Sequence, residues 1–404
     1  MYTYLVEKLS KILIGLLILM RLAFLNYASK FENIYLTKDS DHYIELSSNI
    51  LFFYFNDNLY DYWLSTFRLP GYPLIINIFQ EFFDKSSLIF LNFAADAFTL
   101  WIIYKILQKH FSKNIAYIGC ILFLINPNSL ISSSQIMTES ISTTLFFLSF
   151  YFFDEKKYTY CGVALGLLGT IKPLGVYVLC FYLILLILRR NNKIIEYLKI
   201  SFIPLIFIGS IYINNFVQYE TSFYSTSSYF HMQWFNAASE NICKNYDFNE
   251  LEVSEPGYVF ENWLLENNLT RVYDSKILIN KLKSDSSNGM FKNIHCKLIS
   301  VSRSTMWNMF GIRGSNWESV SGNSYINLIV KMFSLVYVVI VNFSLLKSIL
   351  SKNKNQLVVN ALFITLGYII VSAILPFGNS RIRVLIEPFL IIILLSSLKS
   401  KNPV

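Results

Sequence analysis

The sequence predicts an all-α polytopic membrane protein. Hydrophobic residues make up 54% of its 404 residues and charged residues only 15%, whereas soluble proteins carry about 25% charged residues. The apolar residues fall in blocks of about 15–25, close to the length that a helix needs to cross a hydrocarbon core of roughly 30 Å. Short lysine and arginine clusters separate these blocks, as the positive-inside rule predicts for cytoplasmic loops.

The placement of charge also argues against a nucleic-acid-binding protein. The formal net charge is +8, but the chain has no long basic run and no zinc-finger spacing. At the amino terminus, Lys8 and Lys11 precede an apolar stretch that Arg21 interrupts. Because no small-residue cleavage site follows, we expect an uncleaved signal anchor with a cytoplasmic amino terminus.

About ten spans give an alternating topology that places every basic cluster on the cytoplasmic side. The alternation requires that residues 71–83, which are short and end in acidic residues, form an interfacial helix and do not cross the membrane. The predicted spans are residues 10–27, 87–107, 114–127, 138–153, 158–171, 174–190, 194–216, 323–347, 356–375 and 383–398.

This topology divides the chain into three parts. Residues 1–216 form an amino-terminal membrane module whose first extracytoplasmic loop covers 28–86. Residues 217–322 form a second, more polar extracytoplasmic region, and residues 323–404 return to the membrane as carboxy-terminal helices.

Two carboxylates follow the first span, in the stretch Asp39-Ser40-Asp41-His42-Tyr43. Neighbouring carboxylates near a membrane surface can share a proton, and one of them would then serve as a general base. The alternative interpretation is a solvated acidic turn at a helix start, where the helix dipole favours negative charge.

Several cations are predicted at the outer ends of spans, where they would bind an anion such as a lipid phosphate. The alternative for each is a side chain that snorkels to the lipid headgroups. A carboxylate, Glu139, also opens a span on this side, either as a helix-start residue or as a contact to a polar substrate. The candidate cations are Arg68 in the turn Arg68–Pro73, Lys172 before Pro173, and Arg381 and Arg383 before the last span.

Other residues carry less information. Arg21, inside the first span, is expected to pair with a buried acid or a carbonyl. Cys243 and Cys296 share the second outer region, where they form either a disulfide or two free thiols. The four histidines show no metal-ligand spacing, so a divalent metal is not indicated.

Taken in order, these segments resemble polyprenyl-phosphate-dependent glycosyltransferases of the GT-C fold, in the protein O-mannosyltransferase and aminoarabinose transferase superfamily. The resemblance covers residues 20–215 and resumes at 376. It is carried by Asp39 with Tyr43, Arg68–Pro73, Asp96, Asn126-Pro127, Thr138-Glu139, Lys172-Pro173 and Asn379–Pro388.

The resemblance implies a lipid-linked sugar as donor, with no certain cofactor, and a glycan, lipid or protein as acceptor. Asp39 would be the base, with Asp41 as the alternative because Ser40 separates the two acids. Arg68, helped by Lys172 or by Arg381 and Arg383, would hold the donor phosphate. Tyr43 would belong to the same substrate-binding group, and Glu139 would orient sugar or acceptor.

Other classes remain open at this point. A polysaccharide polymerase or ligase would also use polyprenyl-linked sugars and a large outer loop, with Arg271, Arg303 and Arg313 in that loop. A transporter would place ionisable residues near the bilayer midplane and often shows inverted repeats, which the sequence lacks. A structural or assembly membrane protein without catalytic activity is the remaining alternative. The composition, rich in Ile, Asn and Lys, is compatible with a bacterial plasma-membrane protein.

Overall fold

The computed structural model is helical throughout the residues that it describes, with no strand among them. The described residues are 2–50, 67–189, 193–227, 324–351, 355–374 and 383–398, with isolated positions at 229, 280, 283 and 284. Arg381, Cys243 and Cys296 lie outside them, as does most of the predicted outer region 217–322.

We number the helices along the described chain. The first half contains α1 (Tyr2–Ala28), α2 (Glu32–Tyr35), α3 (Lys38–Ser48), α4 (Gly71–Gln80), α5 (Leu88–His110), α6 (Lys113–Leu124) and α7 (Pro127–Ser133). The second half contains α8 (Glu139–Asp154), α9 (Tyr158–Ile171), α10 (Leu174–Leu188), α11 (Ile194–Tyr219), α12 (Ser324–Leu350), α13 (Gln356–Ile374) and α14 (Glu387–Leu398).

Each predicted span overlaps a helix in the described residues. By length and composition, three helical segments can cross a membrane alone: Leu5–Ala28, Lys85–His110 and Ile194–Tyr219. A fourth candidate is the pair α6 and α7, which is bent by 59° at its break. Several other apolar helices, including α9 and α10, are only 10–17 residues long. The helix α4 has 10 residues, or about 15 Å of length, so it is too short to span.

The helix bundle has two chemically different ends. At one end, Lys109 Nζ at the end of α5 lies 2.8 Å from Asp154 Oδ2 at the end of α8. Lys157 and Arg189, which flank α9 and α10, lie at this same end, which we call the basic end. Glu139 at the start of α8 and Lys172 after α9 lie at the opposite end, which we call the site end. Because α8 and α9 run in opposite directions, the hairpin separates these two groups of charges.

Close helix packing at α9 depends on small residues. Gly162, Gly166 and Gly169 follow one another at helical spacing and face α11. A Cβ atom added to Gly162 would lie 2.8 Å from the carbonyl oxygen of Ile200. In lipid the hydrophobic effect does not drive helices together, so close van der Waals contact between small residues is what holds such an interface.

Aromatic side chains fill the centre of the bundle. The Phe389 ring of α14 packs against three rings of α8, with centroids 4.9 Å from Phe146, 5.2 Å from Phe147 and 5.0 Å from Phe150. The carboxy-terminal helices are therefore part of the same packed core as the amino-terminal module. A second, smaller core joins residues of the first five helices with Ile136 and Ile171.

Candidate active site

Helix α3 presents its acidic residues at a well-capped amino terminus. The Thr37 hydroxyl accepts from Ser40 N (3.2 Å), and Ser40 Oγ accepts from Thr37 N (2.9 Å), which forms a capping box. Asp39 and Asp41 both lie in the first turn, where the helix dipole stabilises a carboxylate. Both acids therefore lie at a helix start, as the alternative interpretation of this stretch predicted.

The same serine attaches α3 to the segment that precedes Glu139. Ser40 Oγ donates to the carbonyl oxygen of Ile136 at 2.8 Å, and the Ile136 amide donates to the Tyr35 carbonyl at 2.9 Å. Two hydrogen bonds therefore connect α2 and α3 to a position three residues before Glu139. Sequence reasoning treated Ser40 only as a spacer between two acids, and its role becomes visible only when the two segments are placed together.

The structure brings Asp39, Tyr43 and Arg68 together. Arg68 Nη2 forms an ion pair with Asp39 Oδ1, and Arg68 Nη1 donates to the Tyr43 hydroxyl at 3.3 Å. The guanidinium carbon lies 4.9 Å from the centre of the Tyr43 ring and 4.8 Å from that of Phe67. Both charged side chains keep some solvent exposure, 15% for Arg68 and 25% for Asp39. Three of the predicted site residues therefore form one cluster.

The turn after Arg68 packs tightly against the end of α9. A Cβ atom on Gly71 would lie 2.7 Å from the carbonyl oxygen of Thr170, so only glycine fits there. Because Lys172 follows Thr170 by two residues, this contact places the Arg68 turn beside the Lys172 junction. The glycine of the Arg68–Pro73 motif is thus explained by a close approach of two backbones.

Glu139 and Lys172 form a second carboxylate–cation pair, with Lys172 Nζ 3.3 Å from Glu139 Oε1. Glu139 is in the first turn of α8, and Lys172 is the residue that follows α9. Each charge therefore complements the dipole of its own helix. The Glu139 carboxylate is buried, whereas the Lys172 side chain is 23% exposed. Two residues that the sequence suggested separately are partners in the structure.

Tyr72 is a buried neighbour of residues from both clusters, Tyr43 and Glu139. Its ring packs edge-on against Tyr43, with centroids 5.0 Å apart. Burial raises the pKa of Tyr72 well above its ordinary value, with smaller contributions from Tyr43 and from the Glu139 charge. The phenol is therefore neutral at physiological pH, and it adds a buried aromatic ring next to the site. Sequence reasoning named Tyr72 only as part of the Arg68–Pro73 motif.

Two further residues of α3 are placed differently from Asp39. The Asp41 side chain is on the exposed face of the helix, because residues two apart in a helix point in nearly opposite directions. His42 is partly buried, and its burial, together with the positive charge of Arg68, lowers its pKa.

Arg383 is not on the surface, where we expected it. Its Nε donates to Glu387 Oε1 at 2.6 Å and its Nη1 donates to Asn342 Oδ1 at 3.3 Å. Neither Arg383 nor Glu387 has an exposed side chain. The structure therefore places Arg383 inside the bundle, where it holds α14 to α12. Glu387, one helical turn after Arg383, is the signal that could have indicated this pair in the sequence.

Arg21 behaves as expected, because it pairs with both a buried acid and carbonyls. Its Nη1 lies 3.1 Å from Asp96 Oδ2, and its Nε donates to the Leu124 carbonyl at 2.9 Å. Asp96 also accepts from the Ser129 hydroxyl at 3.0 Å. The Arg21–Asp96 group is buried inside the bundle. Within the described ranges, no group of three or more His, Cys, Asp or Glu side chains is arranged to hold a metal ion.

Comparison with known proteins gives one match. Residues 68–213 match the family model of dolichyl-phosphate-mannose-protein mannosyltransferases, over a little more than a third of the chain. No curated protein and no solved structure matches the chain significantly. Arg68, Glu139 and Lys172 lie inside the matched residues, whereas Asp39 and Arg383 lie outside them.

The match confirms the resemblance that the sequence motifs predicted. It indicates a membrane glycosyltransferase that uses a polyprenyl-phosphate sugar, and it agrees with the all-helical architecture. Residues 68–213 are therefore similar to a glycosyltransferase family that has the GT-C fold.

Proposed function

We propose that this protein transfers a sugar from a polyprenyl-phosphate-linked donor to an acceptor hydroxyl on the extracytoplasmic face of the membrane. The observation that carries the proposal is the pair of partly exposed carboxylate–cation contacts, Asp39–Arg68 and Glu139–Lys172, which the Gly71–Thr170 contact places side by side. A carboxylate next to a cation provides the two groups that such a transfer needs.

The cations would act on the donor. The bond between the anomeric carbon and the phosphate oxygen breaks, and the polyprenyl phosphate leaves with the electron pair. Arg68 can present two N–H groups to phosphate oxygens in a fixed geometry, and Lys172 adds a second positive charge at the same end of the bundle. Positive groups that are already in place where charge develops lower the barrier without reorganisation. Arg381, which lies outside the described residues, stays a third candidate from the sequence alone.

Asp39 would act on the acceptor. Its carboxylate would take the proton from the acceptor hydroxyl while that oxygen attacks the anomeric carbon. A donor phosphate that binds Arg68 would compete with Asp39 for the guanidinium, which would leave the carboxylate available as a base. A direct displacement of this kind inverts the anomeric configuration. Because Asp41 is exposed on the opposite face of α3, the geometry favours Asp39 of the two candidate bases.

The distribution of charge supports the extracytoplasmic face. Lys109, Lys157 and Arg189 lie at the basic end of the bundle, and cytoplasmic loops of membrane proteins carry an excess of Lys and Arg. The site end would then face outward. Glu139, whose carboxylate is buried beside Lys172, would hold that lysine in place and contact a sugar hydroxyl.

The test uses the full chain purified in detergent, with a panel of labelled polyprenyl-phosphate sugars and, in parallel, Asp39→Asn and Asp41→Asn. We expect the wild type to release polyprenyl phosphate from at least one donor and Asp39→Asn to lose about a hundredfold or more of the turnover, as removal of a general base typically does. Asp41→Asn, in the same helical turn, is the matched control and should retain activity within a few-fold.

The outcomes separate the parts of the proposal. Equal turnover in wild type and Asp39→Asn, with loss in Asp41→Asn, would contradict the assignment of the base but not the reaction. No release from any donor by a folded wild type would contradict the reaction itself.

A further inference from the structure

Arg21 is buried near the carboxy-terminal end of α1 and donates to groups from three other elements. Nη1 donates to Asp96 Oδ2 (3.1 Å) on α5 and to Ser129 Oγ (3.2 Å) on α7. The remaining donors all go to backbone carbonyls at the end of α6. These are Nε to Leu124 (2.9 Å), Nη2 to Phe123 (3.0 Å) and Nη2 to Asn126 (3.4 Å).

The carbonyls belong to a broken helix. Helix α6 ends at Leu124 and α7 starts at Pro127, with a bend of 59° between them. A helix end leaves its last carbonyls without intrahelical partners, and inside a membrane protein such groups need a donor from elsewhere. Arg21 provides that donor for two of them, the carbonyls of Leu124 and Phe123. It also donates to the Asn126 carbonyl, which accepts the Leu130 amide as well. The charge of Arg21 is balanced by Asp96.

Asn126 fixes the other side of the break. Its Oδ1 accepts from the amides of Asn128 (2.9 Å) and Ser129 (3.2 Å), which caps α7. Its Nδ2 donates to the Tyr337 hydroxyl on α12 at 3.2 Å. The direction of α7 is therefore determined by α1, α5 and α12 together.

The chain that leaves α7 runs directly into the site. The Gln135 carbonyl accepts from Asn92 Nδ2 at 2.6 Å, and Ile136 makes the two hydrogen bonds to α2 and α3 described above. Three residues later Glu139 begins α8. A change in the direction of α7 would therefore move Glu139 and the helix that carries Asp39 at the same time.

We propose that Arg21, together with Asp96, is a positioning residue for the transfer reaction: it holds the α6–α7 break in one geometry and so sets the positions of Asp39 and Glu139. The inference rests on the proposed function, because the reaction defines what is positioned. A displacement of about 1 Å in a catalytic group can cost about a hundredfold in rate. Such a loss appears in kcat more than in the donor KM.

The experiment compares Arg21→Met with the double variant Arg21→Met/Asp96→Leu, and uses Lys8→Met on the exposed part of α1 as the control. The single variant leaves the Asp96 charge buried without its ion-pair partner, so it should fold poorly. Replacing both partners of a buried pair by apolar residues often recovers stability. We therefore expect the double variant to recover folded protein, while its kcat stays about tenfold or more below wild type and its donor KM changes by less than about threefold.

Amide hydrogen exchange on the same proteins gives a readout that needs no donor. Positioning predicts faster exchange in residues 123–139 and 35–43 of the double variant, with no change in Lys8→Met. Recovery of kcat together with stability, or unchanged exchange in these segments, would overturn the inference.

If the double variant does not fold, Ser129→Ala, which removes one partner of both Arg21 and Asp96, is measured in the same way and should show a smaller loss in kcat with the same exchange pattern. If the folded wild type is inactive with every donor, the proposed function has failed, and the exchange data alone decide whether Arg21 holds the break.

Discussion

Among the described residues, the carboxylate–cation pairs inside the bundle and those at the site end are of two kinds, which differ in their surroundings. In Arg21–Asp96 and Arg383–Glu387 no side chain is more than 5% exposed, and each arginine also donates to a further polar group of the protein. In Asp39–Arg68 and Glu139–Lys172 at least one side chain keeps 15–25% exposure. The first kind holds helices together. The second kind joins separate elements at the site end, where a ligand can compete for the cation.

This comparison predicts that the two kinds of pair differ in their contribution to stability. Arg383→Met leaves the Glu387 charge buried and unbalanced, and breaking such a pair typically costs about 3–5 kcal/mol. Arg68→Met breaks a partly exposed pair and should lower the free energy of unfolding by about 1 kcal/mol. Unfolding of both purified variants in the same detergent, followed by circular dichroism, measures the difference. Similar losses for both would contradict the distinction.

A smaller effect is expected for the coupling between Glu139 and Lys172. A double-mutant cycle with Glu139→Gln and Lys172→Met should show an interaction energy of about 0.5–3 kcal/mol in kcat/KM, because contacting residues are not additive. Lys157→Met, at the opposite end of α9, replaces Lys172→Met in a control cycle with Glu139→Gln. That cycle should be additive. Additivity in both cycles would mean that the 3.3 Å contact has no functional role.

The smallest predicted effect is a pH dependence of stability from His42. Its pKa is lowered in the folded protein, by burial and then by Arg68, despite nearby carboxylates. The unfolded state therefore binds a proton first as pH falls below about 6.5, and stability should decrease from there down to the lower folded-state pKa. His42→Asn removes this contribution. The test is the Tm of wild type and variant between about pH 7.5 and pH 5.5. If the Tm falls equally with pH in both proteins, His42 makes no such contribution.

The helices themselves were largely predictable. The predicted spans 158–171 and 174–190 correspond to Tyr158–Ile171 and Leu174–Leu188, because charged residues and a proline bound these apolar blocks. The number of independent spans was less predictable. The expectation was about ten, and three or four helical segments in the described part of the chain meet the length and composition for it. The predicted span 114–127, for example, corresponds to α6, which ends at Leu124 where the chain bends by 59° into α7.

The individual residues of the candidate site could be named from the sequence, but their pairing could not. Asp39, Arg68, Glu139 and Lys172 were each identified from local sequence, since charge next to a turn or a span end is visible there. Their pairing depends on the α8–α9 hairpin and on the contact of Gly71 with Thr170, which bring distant segments together. Arg383 shows the opposite case. Its position before the last span suggested a surface cation, but Arg383 forms a buried ion pair with Glu387, one helical turn later.

The central claim is that the cations of the site end bind the donor phosphate, and phosphate binding tests it without knowledge of the sugar or the acceptor. The measurement is the Kd of polyprenyl phosphate for wild type, Arg68→Met, Lys172→Met and the control Lys157→Met. Loss of a charge-assisted hydrogen bond should weaken binding about tenfold or more in the first two variants, with Lys157→Met unchanged. Equal Kd values for wild type, Arg68→Met and Lys172→Met would contradict the claim.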